Sequence, residues 1–348
     1  MKTSDFTFDL PPELIAQTPL ARRDASRLMM LDRGAMTRGH MRFADLPGLL
    51  RPGDCLVVND SRVLPARLFG RTESGTAAET LLLSDKGGGL WECLTKPGKK
   101  TRTGARLSYG DGLLTGVVEG EEPDGRRLIR FHDGSAKPHL SPDVFLEILD
   151  RLGEMPLPPY IKTRLDDPER YQTVYAKTPG SAAAPTAGLH FTPELLARLR
   201  DSGIAVKAIT LHVGLGTFRP VKEEDITQHR MHAEYAEISG ETARAVNAAR
   251  DAGGRVIAVG TTVCRTLESF AGPDGRLSEH AGYTDIFITP GYRFRAIDGL
   301  VTNFHLPGST LIMLVSALAG RDFILESYRE AVEERYRFFS FGDAMLIL

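Results

Sequence analysis

The sequence predicts an α/β protein: a mixed α/β core with much parallel pairing, carrying an inserted small antiparallel β-barrel domain. From about residue 152 onward, helical stretches alternate with short apolar runs, the pattern of helices covering a largely parallel sheet. Between Arg67 and Arg130, short apolar runs such as Glu79-Thr-Leu-Leu-Leu83, Leu90-Trp-Glu-Cys-Leu94 and Leu128-Ile-Arg-Phe131 are divided by turns too rich in glycine for helices. A small barrel is the economical way to close such strands. The expected division is a discontinuous core, residues 1–66 and 152–348, with the insertion at 67–151.

The elements follow in order. Val57 and Val58 form an apolar strand that ends in Asn59-Asp-Ser-Arg62. Ser141 to Gly153 carries a serine N-cap, proline at the first helical position and a terminal glycine, which predicts a helix closing the insertion. Thr192 to Gly203 repeats that logic, and Ile204 to Leu211 reads as the strand after it. Glu241 to Asp251 is an alanine-rich helix, and Arg255 to Gly260 a short buried strand. Strands are expected at Asp285–Thr289 and Gly299–Asn303, and helices at Ser309–Leu318 and Arg321–Tyr336.

Composition narrows the function. With 348 residues, 42% hydrophobic and 25% charged, the chain can bury a large core without staples. Three distant cysteines, Cys55, Cys93 and Cys264, offer neither a disulfide framework nor a paired metal motif, which fits a reducing cytosol. The first residues lack a signal-peptide core, and the apolar run from Leu311 to Gly320 is about half the roughly 20 residues of a membrane span. A cytoplasmic protein without membrane contact is expected. A net charge of −2 gives no global pull on nucleic acid, so RNA contact needs a local patch. Lys96-Pro-Gly-Lys-Lys-Thr-Arg-Thr-Gly-Ala-Arg106 is such a patch: Lys96, Lys99, Lys100, Arg102 and Arg106 stand on a glycine-punctuated loop with no negative charge, suited to phosphates.

Candidate chemistry sits where strands meet turns. His190 lies in Ala184-Pro-Thr-Ala-Gly-Leu-His-Phe-Thr192, His212 in Leu211-His-Val-Gly-Leu-Gly-Thr-Phe218, and His305 in Leu300-Val-Thr-Asn-Phe-His-Leu-Pro307. An imidazole titrating near pH ~6.5 suits general acid or base work. Each could equally be a core histidine bonded to a carbonyl. Asn303 is positioned to orient His305. Asp60, with Asn59 and Arg62 beside it, is a further base or ligand acceptor, although Asp60 and Arg62 could simply pair at the surface. Gly214 and Gly216 give a tight turn that lets a ligand approach the backbone, and are too few for a dinucleotide fingerprint. Thr261 and Thr262 bring hydroxyls to a strand end and helix start, where anionic ligand groups are held. His229, His232 and Glu234 have a metal-like look. Their spacing is wrong for a zinc helix, however, and Arg230 would repel a dication.

These segments resemble the S-adenosylmethionine:tRNA ribosyltransferase-isomerase family of queuosine biosynthesis. The likeness runs nearly end to end, through Asp9-Leu-Pro-Pro-Glu-Leu-Ile-Ala-Gln17, Arg23-Asp-Ala-Ser-Arg-Leu28, Asn59-Asp-Ser-Arg-Val-Leu-Pro-Ala-Arg-Leu68, Gly153-Glu-Met-Pro-Leu-Pro-Pro-Tyr-Ile161, Tyr171-Gln-Thr-Val-Tyr175, the His190 segment and Phe339-Ser-Phe-Gly-Asp-Ala-Met345. Ser61 departs from the family's threonine but keeps its hydroxyl.

The resemblance implies transfer and isomerisation of the ribosyl part of S-adenosylmethionine onto 7-aminomethyl-7-deazaguanine at the tRNA wobble position, giving epoxyqueuosine-tRNA, adenine and methionine. S-adenosylmethionine is then a co-substrate, with no prosthetic group and no metal expected; a monomer is favoured. Such chemistry needs at least one base and one acid, here His190, His212, His305 and Asp60, while Asn59, Arg62, Gly214, Gly216, Thr261, Thr262 and Asn303 bind substrate. Phe191, Phe218 and Phe304 are candidates to face the sulfonium. Two other readings stay open on the residues alone: a non-catalytic tRNA-binding module, and a metal-dependent hydrolase built on His229, His232 and Glu234.

Overall fold

The computed structural model describes residues 1–133, 140–214, 221 and 223–348, and these divide into two compact units. One comprises Met1–Ser61, Pro158–Thr178 and Ala184–Leu348, the other Arg62–Leu157 and Pro179–Ala183. In chain order the strands are β1 (Arg27–Asp32), β2 (Thr37–Arg42), β3 (Cys55–Asn59), β4 (Ser61–Val63), β5 (Arg67–Thr72), β6 (Ala77–Asp85), β7 (Leu90–Lys96), β8 (Arg106–Tyr109), β9 (Leu114–Glu121), β10 (Arg127–His132), β11 (Thr178–Ser181), β12 (Ala205–Leu211), β13 (Glu234–Ile238), β14 (Val256–Val259), β15 (His280–Thr284), β16 (Gly299–Asn303) and β17 (Ala344–Ile347). The helices are α1 (Pro142–Leu152), α2 (Pro193–Asp201), α3 (Gly240–Asp251), α4 (Thr261–Phe270), α5 (Thr310–Ala319) and α6 (Arg321–Glu333).

The first unit is built on a nine-stranded sheet of order β15-β13-β12-β3-β14-β16-β17-β1-β2. Its centre, β12-β3-β14-β16, is parallel throughout. The sequence dictates this: every residue of β3, β14 and β16 is buried, the near-continuous apolar run of strands covered on both faces. Leu56 and Val58 pack with Leu195, Leu196 and Leu199 of α2, while the alternate residues Cys55 and Val57 are buried on the opposite side of the strand. Outer pairs are antiparallel, β12 with β13, β13 with β15 and β1 with β2. The C-terminal β17 slots between β16 and β1, so the last residues of the chain are core.

Helix starts follow their caps. Thr192 accepts from the Leu195 N–H, Ser239 from Thr242 and Ser309 from Ile312, each cap contributing about 1 kcal/mol. Two expectations are corrected. The strand expected at Asp285–Thr289 is absent; β15 lies just before it, at His280–Thr284, in register with β13 and with Tyr283 edge-on to Tyr235 at 5.6 Å. The more apolar 285–289 is anchored otherwise, by the buried Ile288 and by the Ile286 carbonyl accepting from Arg265. The last helix stops at Glu333, three residues short of Tyr336, because Arg335 takes a positive φ of 54° and the Tyr336 N–H turns back to the Ala331 carbonyl.

The second unit is a closed antiparallel barrel of order β10-β7-β6-β5-β8-β9. Its interior holds Leu68, Leu82, Trp91, Cys93, Leu107, Val118, Ile129 and Phe131, and α1 adds Phe145, Ile148 and Leu149. Gly116 is where the barrel closes tightly: a Cβ there would stand 2.8 Å from Ile129 Cγ2. The unit reaches beyond 67–151 on both sides, since Arg67 exchanges backbone bonds with Glu154 and the Leu64 N–H donates to Ser181. Among the described residues no helix is long and apolar enough to cross a membrane.

Candidate active site

The parallel strands β12, β14 and β16 end on one edge of the sheet, and a cavity open to solvent lies at those ends. Val213 follows β12, Gly260, Thr261 and Thr262 follow β14, and Asn303, Phe304, His305 and Leu306 close β16. Thr186 and Ala187 come from the turn before α2, and Tyr160, Phe339 and Ser340 complete the wall. The Tyr160 and Phe339 rings meet edge-on at 4.4 Å, and the Tyr160 hydroxyl lies 2.6 Å from that of Ser340. An apolar wall with a few convergent hydroxyls, an amide and an imidazole is the form of a small-molecule site.

One polar chain organises the cavity floor. Asn303 Nδ2 donates to the Phe339 carbonyl at 3.3 Å and to His190 Nε2 at 3.0 Å, and Asn303 Oδ1 accepts from the Thr186 hydroxyl at 3.0 Å. A carbonyl can only accept, so the contact to Phe339 fixes the amide orientation. His190 Nε2 must then accept, which places the proton of the neutral ring on Nδ1, 2.8 Å from Ser26 Oγ. Burial first, then the charges of Arg337 and Arg23, push the His190 pKa down to about 3. A neutral, doubly bonded ring stacked on Phe43 at 4.9 Å positions Asn303 and lies behind the cavity wall.

His305 is the histidine that lines the cavity. Its Nε2 is 2.9 Å from the Thr302 hydroxyl, and its backbone N–H donates to the Tyr328 hydroxyl at 3.0 Å. Nδ1 is left without a protein partner among the described residues. Burial pushes its pKa down to about 3, so the ring is neutral at physiological pH.

Across the cavity, α4 presents its N-terminus. Gly260 takes φ +91°, a conformation open to glycine, and no side chain caps the helix. Thr261 and Thr262 are each 7% exposed, and the Thr262 hydroxyl is buried without a hydrogen-bond partner. Unsatisfied N–H groups, the helix dipole and an unused hydroxyl converge where a carboxylate could be held.

The other expected residues stand elsewhere. Asn59 is fully buried and spends its amide on the Leu211 backbone and the Ser61 N–H, tying β3 to β12. Asp60 accepts from the Thr210 hydroxyl at 2.7 Å. His212 stacks on Tyr235, with Nδ1 buried and unpartnered; burial lowers its pKa, while the Asp60 and Glu237 charges act the other way. Asp60 and His212 both stand outside the cavity lining, and the charge of Asp60 is felt by the His212 ring. Arg62 belongs to the barrel unit. Gly214 donates its N–H to Glu234, and Gly216 and Phe218 lie outside the described residues. Phe191 is core, packed on Phe43 and Tyr175, and the Phe304 ring is equally buried, packed on Tyr328, Tyr336 and Phe338 beside the cavity.

The carboxylate of Glu234 is paired with the buried Arg265 guanidinium, and His229 Nδ1 lies 2.9 Å from Glu223 Oε2. A metal reading of this segment therefore meets a carboxylate already held by a cation. No group of three His, Cys, Asp or Glu among the described residues is placed to hold a metal.

In the barrel unit, Lys96, Lys99, Lys100, Arg102 and Arg106 are all exposed. Their loop is anchored from beneath by buried Arg127, which donates to the carbonyls of Thr101, Gly98 and Gly125. Lys96 lies 4.0 Å from Glu79; the other four have no carboxylate at ion-pair distance among the described residues.

Tyr160, Ser340, Phe339 and Ser26 escaped residue-by-residue reading because none is a strong acid, base or ligand. Their signal lay in the long motifs, Gly153 to Ile161, Phe339 to Met345 and Arg23 to Leu28, which contain all four.

Residues 3–347 match the family model described as a queuosine biosynthesis protein. The chain is 60% identical to the S-adenosylmethionine:tRNA ribosyltransferase-isomerase of Symbiobacterium thermophilum and 56% identical to that of Clostridioides difficile, covering all of each. It is also similar to the crystal structure of S-adenosylmethionine tRNA ribosyltransferase from Thermotoga maritima, at 40% identity and a TM-score of 0.57, over 99% of this chain and 100% of that one.

Proposed function

Since this chain belongs to the queuosine biosynthesis protein family, we propose that it transfers and isomerises the ribosyl moiety of S-adenosylmethionine onto 7-aminomethyl-7-deazaguanine at the wobble position of tRNA. It is an enzyme of the ribosyltransferase-isomerase class. The products are epoxyqueuosine-tRNA, adenine and methionine. The observation that carries this reading is the cavity at the strand ends, where aromatic rings, hydroxyls, one unanchored imidazole nitrogen and a helix N-terminus converge.

In this reading S-adenosylmethionine occupies the cavity. The N-terminus of α4 with Thr261 and Thr262 receives its carboxylate, and Tyr160 and Phe339 offer ring faces to the sulfonium, each worth roughly 0.5–2 kcal/mol. The sulfonium acidifies the adjacent C5′ hydrogens, so a positioned base begins the reaction. His305 Nδ1 is the candidate, with Nε2 steadied by Thr302. Burial keeps the ring neutral, with the Nδ1 lone pair free, and at the same time lowers its basicity, so charge on the bound substrates has to favour the protonated form for the transfer. Adenine leaves more readily when protonated, the attacking amine must be neutral, and closure of the epoxide expels methionine. His190 acts through Asn303, holding the amide and the Thr186 hydroxyl toward the substrate. Asp60 and His212 form a second proton-handling pair for the later steps. The α/β core carries the chemistry, and the loop from Lys96 to Arg106 on the inserted barrel meets tRNA phosphates.

The test is incubation of the purified chain with S-adenosylmethionine and precursor tRNA. Stoichiometric free adenine, methionine and a ribosylated base are expected. Intact S-adenosylmethionine after many hours with folded protein would sink the proposal.

A further inference from the structure

Two guanidinium groups beside His190 play no part in the reaction above. Arg23 and Arg170 together line two adjoining depressions. The smaller also holds Ser26, His190 and Ser340; the wider holds Arg22, Asp24, Thr192 and Glu194. Both side chains are fixed by backbone carbonyls. Arg23 donates to Leu189 at 3.2 Å and Glu169 at 2.9 Å, and Arg170 to Ala21 at 3.2 Å and Leu20 at 2.6 Å. Neither has a carboxylate at ion-pair distance among the described residues, whereas neighbouring Arg22 is paired with Asp24 at 3.3 Å.

Like charges pinned together repel, and the nearby carboxylates of Asp167 and Glu169 offset that only in part. Burial first, then the charge of Arg170, lowers the Arg23 pKa, ahead of any opposing carboxylate. An anion seated between them would relieve that cost, and planar guanidinium forks suit phosphate oxygens. The start of α2 on the same rim is already satisfied, by the Thr192 cap and by the Glu194 carboxylate, so the two guanidinium groups carry the anion site by themselves. Position gives the second argument. Ser340 lines both the small depression and the large cavity, and His190 shows one side to the depression while its Nε2 meets Asn303 of the cavity wall. The two spaces adjoin through Ser340 and the Asn303–His190 contact.

We propose that Arg23 and Arg170 hold a phosphate of the RNA substrate at the mouth of the small depression, so that the nucleotide bearing the reacting amine reaches the site from the Ser340 side while S-adenosylmethionine fills the large cavity. The inference rests on the reading that this chain modifies tRNA. It gives the α/β unit its own RNA contact, separate from the barrel loop.

The experiment is binding of a wobble-precursor anticodon stem-loop RNA to the full chain as a function of salt, with R23Q, R170Q and the charge-keeping R23K and R170K. Each Gln variant is expected to weaken RNA binding about tenfold or more and to flatten the log–log salt slope by roughly 0.7 to 0.9, the loss of one phosphate contact. Each Lys variant should restore the slope but not the full affinity. In turnover the loss should fall on KM for RNA rather than on kcat. Both arginines also hold backbone carbonyls, so hydrogen exchange on the unaltered protein supplies a second readout: residues 19–25 and 169–174 should slow on RNA addition. Wild-type slope and affinity in folded Gln variants, or protection confined to the barrel loop, overturns the inference alone. Wild-type protein that neither binds the RNA nor releases adenine takes the functional reading down with it.

Discussion

Asn303 Nδ2 lies 3.0 Å from His190 Nε2, and this contact decides what the buried histidine can do. Because the amide nitrogen is also committed to the Phe339 carbonyl, the imidazole can only accept, and its own proton faces Ser26. His190 to Ala should free the amide, unseat Thr186 and reduce kcat by about 10- to 100-fold, an effect typical of losing a positioning contact. His190 to Gln, whose carbonyl can still accept from Asn303, should recover part of that. Equal loss in both variants would show that the ring itself handles the proton.

His305 separates from His190 in the same assay. His305 lines the cavity and its Nδ1 has no protein partner among the described residues, so His305 to Gln, which removes the basic nitrogen while keeping bulk and polarity, should lower adenine release by 10²- to 10⁴-fold, the usual range for a general base. Activity within threefold of wild type would remove His305 from the proton-transfer role.

Acid lability follows from the same two side chains. The pKa values of His190 and His305 are pushed from 6.5 down to about 3 by burial. Between those values the unfolded chain binds protons that the native state refuses, so stability rises with pH across this window. The two sites contribute fully above about pH 6.5 and lose their contribution progressively as pH falls toward 3. Denaturant titrations at pH 7, 5.5 and 4.5 should show a steep fall in midpoint, shallower in His190 to Gln. A flat profile would mean that the histidines are already protonated in the native state.

Thr262 is a cleaner probe of the α4 N-terminus, because its hydroxyl is buried and makes no hydrogen bond. Thr262 to Val keeps the shape and removes that unpaired group, so folding stability should hold or improve slightly. If the hydroxyl receives the S-adenosylmethionine carboxylate, affinity for that co-substrate should fall about 5- to 50-fold by calorimetry. Unchanged affinity places the carboxylate elsewhere.

Much of this was legible in the sequence. The caps at Ser141 and Thr192 marked α1 and α2 because capping is local chemistry, and the apolar runs of β14 and β16 marked buried strands because burial on both faces leaves no polar alternation. The cavity could be placed at strand ends for the same reason. What stayed hidden depends on distant partners. His280–Thr284 is a strand only because β13 offers it a ladder, and β17 is central only because β1 and β16 leave it a slot. His190 and His305 look alike in sequence, yet one faces Asn303 from behind the wall and the other faces the cavity.

Charge reversal on the barrel loop tests the RNA surface there. Lys99 and Lys100 are exposed and have no carboxylate at ion-pair distance among the described residues, so Lys99 to Glu with Lys100 to Glu should leave the fold intact. Binding of tRNA should weaken, with its salt dependence flattened by more than one unit of log–log slope. Unaltered affinity would leave RNA binding to the α/β unit.

The Glu234–Arg265 pair supplies the last expectation. Both side chains are almost fully buried, at 5% and 3% exposure, and the carboxylate also accepts from the Gly214 N–H, so the pair anchors the turn after β12 as well as α4. Glu234 to Gln strands a buried guanidinium and should cost about 3–5 kcal/mol, seen as a lower denaturant midpoint. One Arg265 nitrogen already lacks a partner, so the native pair carries an uncompensated desolvation cost. Replacing both residues together, Glu234 to Leu with Arg265 to Met, should therefore recover most of the loss, although the Gly214 turn loses its acceptor and co-substrate affinity should not recover with it. Two single losses that simply add in the double variant would show that the residues act independently, and the coupling argued from their contact would be wrong.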